Sequence, residues 1–209
     1  PNVQGAFILM DSHTGGVLAV QGGRDYVSKG INRVNIKRQP GSTIKPLVVY
    51  GPAIESGLYH PYSMLKDELV SYDGYEPRNF DQQYRGEVSM VDALTNSTNT
   101  SAVWLLNEIG IDRAKDYLAQ LQMETDDDGL ALALGGMTEG YTPLQLMKAY
   151  GALANDGQYT EHHFITEVYD RNGMLIGHVE KEPVLVFSEQ TSWYVTRMLE
   201  RAVKNGTGQ

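Results

Sequence analysis

Apolar runs near the two ends of the chain predict β-strands. Residues 6–10 (AFILM) and 17–20 (VLAV) flank the turn-forming stretch 11–16 (DSHTGG), and this order predicts a β-hairpin. Nearly every position of the two runs is apolar, so we expect both faces of the hairpin to be buried. A second hairpin is predicted for residues 164–169 and 175–179, which are separated by an Arg-Asn-Gly turn.

Between the two hairpins, apolar residues recur at helical spacing. The clearest start signal is a capping box formed by Thr142, Pro143 and Gln145, with the proline at the first helical position. Residues 58–86 show little periodicity, and a connection this long inside one domain is often functional. We predict helices over residues 42–56, 87–94, 101–109, 111–122, 143–155 and 188–204.

Composition narrows the class of protein. Strands at both ends with helices between them predict an α/β fold of the α+β type, and 209 residues suffice for one domain with a substantial core. The 41% of apolar and 21% of charged residues are typical of a globular domain. A net charge of −9 argues against nucleic acid as a partner, because phosphate binding needs a basic surface. The absence of cysteine excludes thiol catalysis and disulfides.

We predict neither a metal nor an organic cofactor. The five histidines are scattered, except that His162 and His163 are adjacent and would point to opposite faces of a strand. The acidic run at residues 126–128 lacks the spaced ligands and the closing glutamate of a calcium loop. A solvated loop is the preferred interpretation of this run.

Ser42 and Lys45 stand at the predicted start of a helix, one turn apart on one face. A serine hydroxyl is a poor nucleophile until a base removes its proton, and lysine is such a base only when its pKa is lowered. The N–H of Ser42 at the helix start could also donate to an oxyanion. The alternative is a capping serine followed by an exposed lysine. Pro46 favours the functional interpretation, because it forfeits a hydrogen bond in the first helical turn.

A second candidate motif, Ser97-Thr98-Asn99, lies between two predicted helices. The Ser97 hydroxyl could relay a proton, and the Asn99 amide could bind a substrate carbonyl or orient the lysine. Taken alone, the segment also fits a polar turn between helices.

Together, the two motifs and their surroundings resemble the transpeptidase domain of class A penicillin-binding proteins. Residues 38–46 (RQPGSTIKP) are similar to the nucleophile segment of that family. Residues 77–81 (PRNFD), Gly86 and residues 93–99 are similar to the approach to its second motif. Residues 135–157 resemble its later helical segment, so the resemblance covers nearly the whole chain.

The resemblance implies a penicillin-binding/β-lactamase-like serine transpeptidase fold with a central antiparallel sheet flanked by helices. It implies that Ser42 attacks the D-Ala-D-Ala end of a peptidoglycan stem peptide and passes the acyl group to the amine of an acceptor stem. Lys45 would be the base and Ser97 the proton relay, with Asn99 and Thr98 binding the substrate. β-Lactam antibiotics would acylate the same serine.

The chain also departs from the family. The third family motif, Lys-Thr-Gly, occurs nowhere in the 209 residues, and the resemblance places it just after Gln209. We therefore expect residues 1–209 to be a partial transpeptidase domain that lacks its last strands. The glycosyltransferase domain and membrane anchor would belong to the remainder of the parent protein, which would act at the outer face of the bacterial cytoplasmic membrane.

Two other functions share the first two motifs. One is hydrolysis, as in a D,D-carboxypeptidase or a serine β-lactamase, although no deacylating base is identified for the latter. The other is a non-catalytic penicillin sensor that is acylated without turnover. The sequence also leaves open whether residues 1–209 are active alone, since the missing motif supplies one oxyanion donor in that family.

Overall fold

A computed structural model describes residues 3–25 and 28–209 of the chain. The predicted α/β class is confirmed, since helices alternate with short antiparallel strand pairs. The helices are α1 (Gly51–Glu55), α2 (Met90–Thr95), α3 (Asn99–Ile109), α4 (Ile111–Gln120), α5 (Pro143–Ala154) and α6 (Glu189–Asn205). The strands are β1 (Phe7–Met10), β2 (Val17–Gln21), β3 (Met64–Asp67), β4 (Gly86–Ser89), β5 (Gln158–Tyr159), β6 (Glu167–Tyr169), β7 (Leu175–His178) and β8 (Val184–Leu185).

The strands pair differently from the single central sheet that we expected. Within the described residues they form four two-stranded antiparallel sheets, β1–β2, β3–β4, β5–β8 and β6–β7. The strands are two to five residues long, and helices lie against them. Helix α5 packs against both β1 and β5, and α3 packs against β3.

The first hairpin confirms the predicted pairing but not the predicted burial. Only one face packs against α5, through the half-buried Ile8 and Met10. The opposite face is exposed, with exposed fractions of 56% for Phe7 and 46% for Leu9. The prediction that both faces are buried is therefore wrong. Helix α5 covers one side of this two-stranded ribbon, and the described chain covers little of the other.

Helix starts follow local capping. The capping box at Thr142 is present, with the hydroxyl accepting from the Gln145 N–H and the Gln145 side chain accepting from the Thr142 N–H. The helix predicted over residues 87–94 begins later, at Met90, because residues 86–89 pair with β3. Ser89 then caps α2 by accepting from the Asp92 N–H. The hydroxyl of Ser188 caps α6 in the same way.

The core is centred on the helical segment over residues 44–54. Each residue from Ile44 to Ile54 is buried, as expected for a helix surrounded on all sides. Helices α3, α4 and α6 pack around it, and Phe187 lies over Gly51 and stacks on Tyr117 at 5.0 Å. In the part of the chain that the structure describes, no helix has the length and apolar character needed to cross a bilayer.

Substituting two glycines tests how closely the chain after α5 packs against the chain before α6. Gly157 and Gly173 both have positive φ, +86° and +81°. A Cβ at Gly157 would lie 1.8 Å from the carbonyl oxygen of Phe187, whereas a Cβ at Gly173 meets nothing within 4 Å. We expect Gly173→Ala to lower the free energy of unfolding by about 1–2 kcal/mol through backbone strain alone. Gly157→Ala should lower it by clearly more, as measured by chemical denaturation. Equal losses would contradict the close packing.

Candidate active site

Ser42 lies at an exposed helix start. Residues 41–44 form a 3-10 turn that begins after Pro40, with Gly41 at a φ of +59° and no side chain capping the first N–H groups. The carbonyl of Ser42 accepts the backbone N–H of Lys45. In a 3-10 helix, side chains three residues apart are eclipsed. The spacing of Ser42 and Lys45 therefore places both side chains on one face, as predicted.

Close backbone packing holds this turn in place. A Cβ at Gly135 would lie 2.5 Å from the backbone nitrogen of Gly41, and Gly135 itself has a φ of +73°. The hydroxyl of Tyr150, on α5, donates to the carbonyl of Thr43 at 2.7 Å. Because these contacts reach the backbone on both sides of Ser42, the position of the hydroxyl depends on segments far along the chain.

Lys45 is buried and reaches across to the second motif. Its side chain is 2% exposed. The Nζ atom donates to the carbonyl of Ser97 and to Oδ1 of Asn99, both at 2.7 Å. It also lies 3.1 Å from Oγ of Ser97 and 3.4 Å from the carbonyl of Thr98. The structure thus brings together the lysine and all three residues of the second candidate motif.

The second motif is a tight turn between α2 and α3. Ser97 has a φ of +54°, which is uncommon for a residue other than glycine and recurs at functional turns. The N–H groups of Ser97 and Thr98 return to the carbonyls of Leu94 and Ala93, at 3.0 and 2.8 Å. Thr98 is buried, so its carbonyl rather than its side chain faces the amine. The turn therefore presents a half-buried hydroxyl and a half-buried amide toward Lys45.

The Ser42 hydroxyl makes no direct hydrogen bond to the amine within the described residues, where the Lys45 Nζ contacts are those to residues 97–99. The two residues are joined through their backbones. Catalytic hydrogen bonds are often long before substrate binds and tighten in the reacting complex. One helix start thus brings together three groups: the exposed hydroxyl of Ser42, the buried amine of Lys45 and the hydroxyl of Ser97.

Comparison with known proteins identifies the family. The family model described as penicillin-binding protein transpeptidase domain matches residues 5–209. The chain belongs to this family. Penicillin-binding protein 1F of Bacillus subtilis is 52% identical over 206 residues, which are 99% of the chain and 29% of that protein. The chain spans about a third or less of the curated relatives that it matches.

Solved structures confirm the predicted fold of this transpeptidase domain. Penicillin-binding protein 1A from Haemophilus influenzae superposes with a TM-score of 0.87 at 23% identity, over 100% of the chain and 36% of that structure's chain. The imipenem acyl-enzyme complex of penicillin-binding protein A from M. tuberculosis superposes with a TM-score of 0.83 at 18% identity, over 96% of the chain and 57% of its own.

Sequence reasoning missed the residues that hold the second motif of the transpeptidase domain. Asn79 and Thr100 are buried and hydrogen-bonded to the buried carboxylate of Asp67. Asn79 lies in a segment that resembled the family, but its role had no local pattern. The only sequence signal for Asn79 was its position as a polar residue in the long connection over residues 58–86, and such long loops tend to be functional. No three His, Asp or Glu side chains among the described residues are placed to hold a metal ion.

The electrostatics of Lys45 favour a neutral amine. Burial lowers the pKa of its ammonium from 10.5 to about 7, because the charged form loses hydration. The carbonyl and amide oxygens around Nζ oppose this shift by accepting from the ammonium, but none of them carries a charge. An uncharged shell compensates a buried cation less than a carboxylate would. A substantial fraction of Lys45 is therefore unprotonated near neutral pH.

This pKa predicts a pH-dependent stability. Between pH 7 and pH 10.5 the unfolded chain keeps the Lys45 proton that the folded chain has lost, so stability from this group rises with pH over that window. The slope is at most about 1.4 kcal/mol per pH unit. We expect the free energy of unfolding of the parent protein, relative to Lys45→Met, to increase from pH 7 to pH 9 in chemical denaturation. Lys66→Met, at an exposed position of β3, controls for loss of one charge, and a constant difference for Lys45→Met would refute the lowered pKa.

Proposed function

We propose that this transpeptidase domain is a peptidoglycan D,D-transpeptidase in which Ser42 is the nucleophile. The observation that carries the proposal is the position of the Lys45 amine, buried on the same helical face as Ser42 and within 3.1 Å of the Ser97 hydroxyl. Membership of the penicillin-binding protein transpeptidase family supports it. The activity belongs to the class of serine acyl transfer, and D-Ala-D-Ala is the proposed donor.

In the acylation step, the Oγ of Ser42 attacks the carbonyl carbon of the penultimate D-alanine. The neutral amine of Lys45 takes the hydroxyl proton as the Oγ–C bond forms. The tetrahedral oxyanion lies near the uncapped N–H groups at the start of the 3-10 turn, which are suited to donate to it. The peptide C–N bond then breaks, and Ser97 passes a proton from Lys45 to the leaving nitrogen of the terminal D-alanine.

In the transfer step, the amine of an acceptor stem attacks the acyl carbon. Its proton returns through Ser97 and Lys45 to the Oγ of Ser42 as the ester bond breaks, and the cross-link is released. Asn99 holds the donor peptide through its side-chain amide. Thr98, the preceding residue, forms part of the backbone that lines the same edge of the active site. Each proton has a defined path, so the reaction needs no metal or organic cofactor.

β-Lactam antibiotics are proposed as mimics of the D-Ala-D-Ala donor that acylate Ser42. Penicillin-binding protein A from M. tuberculosis, a structural neighbour, has been solved as an imipenem acyl-enzyme complex. We further propose an extracytoplasmic site of action, with the parent protein anchored at the outer face of the cytoplasmic membrane. The remainder of that protein would supply the glycosyltransferase domain and the third motif.

The assignment of the nucleophile predicts covalent labelling by fluorescent penicillin. We expect the intact protein carrying this sequence to be labelled, and Ser42→Ala to abolish the label because no acyl ester forms. Thr43→Val, which removes the adjacent exposed hydroxyl of the same turn, should keep the label. Label retained by Ser42→Ala would show that the nucleophile lies elsewhere. Rapid turnover of a chromogenic β-lactam would instead indicate a hydrolase.

The assignment of the base predicts the pH dependence of acylation. Because the Lys45 ammonium has a pKa of about 7, the second-order rate constant for penicillin acylation should rise with pH and level off above that value. Lys45→Arg keeps the charge but cannot lose its proton, so it should remain unreactive across the range. Stopped-flow or gel-based acylation rates on either side of neutral pH test this. A flat profile in the parent protein would remove Lys45 as the base.

A further inference from the structure

Helix α3 begins at the reaction site but is not capped by its own sequence. Its N-cap residue, Thr98, makes no side-chain hydrogen bond to the helix. The first N–H groups of a helix need acceptors when they are buried. Here the acceptor comes from the preceding loop, since Oδ1 of Asn79 receives the N–H of Asn99 at 2.9 Å and that of Thr100 at 3.1 Å.

The amide of Asn79 has no freedom to turn. Its Nδ2 donates to Oδ1 of Asp67 at 2.6 Å and to the carbonyl of Gln83 at 2.8 Å. Asn79 is 4% exposed, so water does not compete strongly for these bonds. Reversing the amide would place an N–H against the helix N–H groups and an oxygen against a carboxylate. Both donors and the acceptor of Asn79 therefore point in one defined arrangement.

Asp67 anchors this arrangement. Its carboxylate is fully buried, and a buried charge is tolerated only when its oxygens are hydrogen-bonded. Besides Asn79, it accepts from the Thr100 hydroxyl at 2.6 Å and from the Arg85 N–H at 3.0 Å. The guanidinium of Arg85 lies 3.6 Å away. Asp67 stands at the end of β3, where pairing with Gly86 of β4 fixes its backbone.

The same loop also sets the side chain of Asn99. Nδ2 of Asn99 donates to the carbonyl of Arg78 at 2.9 Å, which turns Oδ1 of Asn99 toward the Lys45 amine at 2.7 Å. Arg78 precedes Asn79 directly. One loop therefore holds both the backbone of Asn99, through Asn79, and its side chain, through Arg78.

We infer that Asn79, held by Asp67, is a positioning residue for the acyl-transfer reaction: it caps α3 from outside and thereby sets Ser97 and Asn99 around Lys45. The inference rests on the proposed function, since its consequence is the rate at which Ser42 is acylated. The proposed role of Asn79 is more than stabilising α3, because a capping hydrogen bond from the Thr98 side chain would stabilise the helix equally well. An external cap ties the helix start to the segment that orients Asn99.

The test is the acylation rate of the intact protein carrying this sequence, measured with fluorescent penicillin and normalised to the folded fraction found by end-point labelling. Loss of the cap displaces Ser97 and Asn99, and a misplacement of about 1 Å reduces rates on the order of 10²-fold. We expect Asn79→Ala to lower the acylation rate by that order. Leu118→Ala, a core truncation on α4 outside this hydrogen-bond network, is the matched control and should lose stability while its folded fraction keeps the parental rate.

A charge-exchange pair keeps the inference testable if Asn79→Ala fails to fold. Asn79→Asp retains an oxygen over α3 but places two carboxylates together without a donor between them, and in the single and double variants alike it sets an oxygen against the carbonyl of Gln83. Adding Asp67→Asn restores a donor, and the Thr100 hydroxyl, already 3.1 Å from the side-chain oxygen of residue 79, can donate to the new carboxylate. We expect the double variant to recover roughly tenfold or more of the rate lost in Asn79→Asp.

The outcomes separate the two claims. If the parent protein is labelled through Ser42 and the folded fraction of Asn79→Ala reacts at the parental rate, Asn79 is structural only and the inference is overturned while the proposed function stands. Failure of the double variant to exceed Asn79→Asp overturns it as well. If the parent protein is not labelled by penicillin at all, the proposed function fails and the inference fails with it.

Discussion

The contact between the Lys45 amine and the turn at residues 97–99 is the interaction on which the site depends. It joins two segments that are more than 50 residues apart in the chain. Burying an amine is unfavourable unless its N–H groups find acceptors, and this turn supplies three carbonyl-type oxygens and one hydroxyl. The turn has an uncommon backbone conformation, with Ser97 at positive φ, and in that conformation all four oxygens face the Lys45 amine.

The helix that carries Ser42 and Lys45 is irregular for a related reason. Its first turn is a 3-10 turn, and after Lys45 it widens into a π-helical turn over Pro46–Tyr50 before α1 begins. Pro46 has no N–H to give, so the change of helix type falls where a regular α-helix would leave an unsatisfied carbonyl. The tight first turn aligns Ser42 with Lys45, and the wide second turn is wholly buried in the core. π-Helical turns of this kind are frequent at functional sites.

Local patterns predicted the elements of this domain better than its contacts. The Thr142 capping box and the hairpin turn of residues 11–16 are read from neighbouring residues, and both are present. The β3–β4 pair was missed because its strands, MLKD and GEVS, are short and half polar. Exposure of the first hairpin was missed because a continuous apolar run does not reveal that a distant helix covers only one of its faces. The link from Asp67 through Asn79 to α3 spans 20 to 33 residues and leaves no periodic trace.

The groups that contact the Lys45 amine are uncharged, and the buried carboxylate of the network lies farther away. A carboxylate hydrogen-bonded to the amine would favour the ammonium and raise its pKa, whereas an amide accepts a hydrogen bond without adding charge. Asn99 occupies that position, and the one buried carboxylate of the network, Asp67, is separated from it by the Asn79 amide. The negative charge thus organises the start of α3 while uncharged groups contact the amine. An amide side chain at each of these two steps keeps charge away from the amine, so the hydrogen-bonded site is compatible with a Lys45 pKa of about 7.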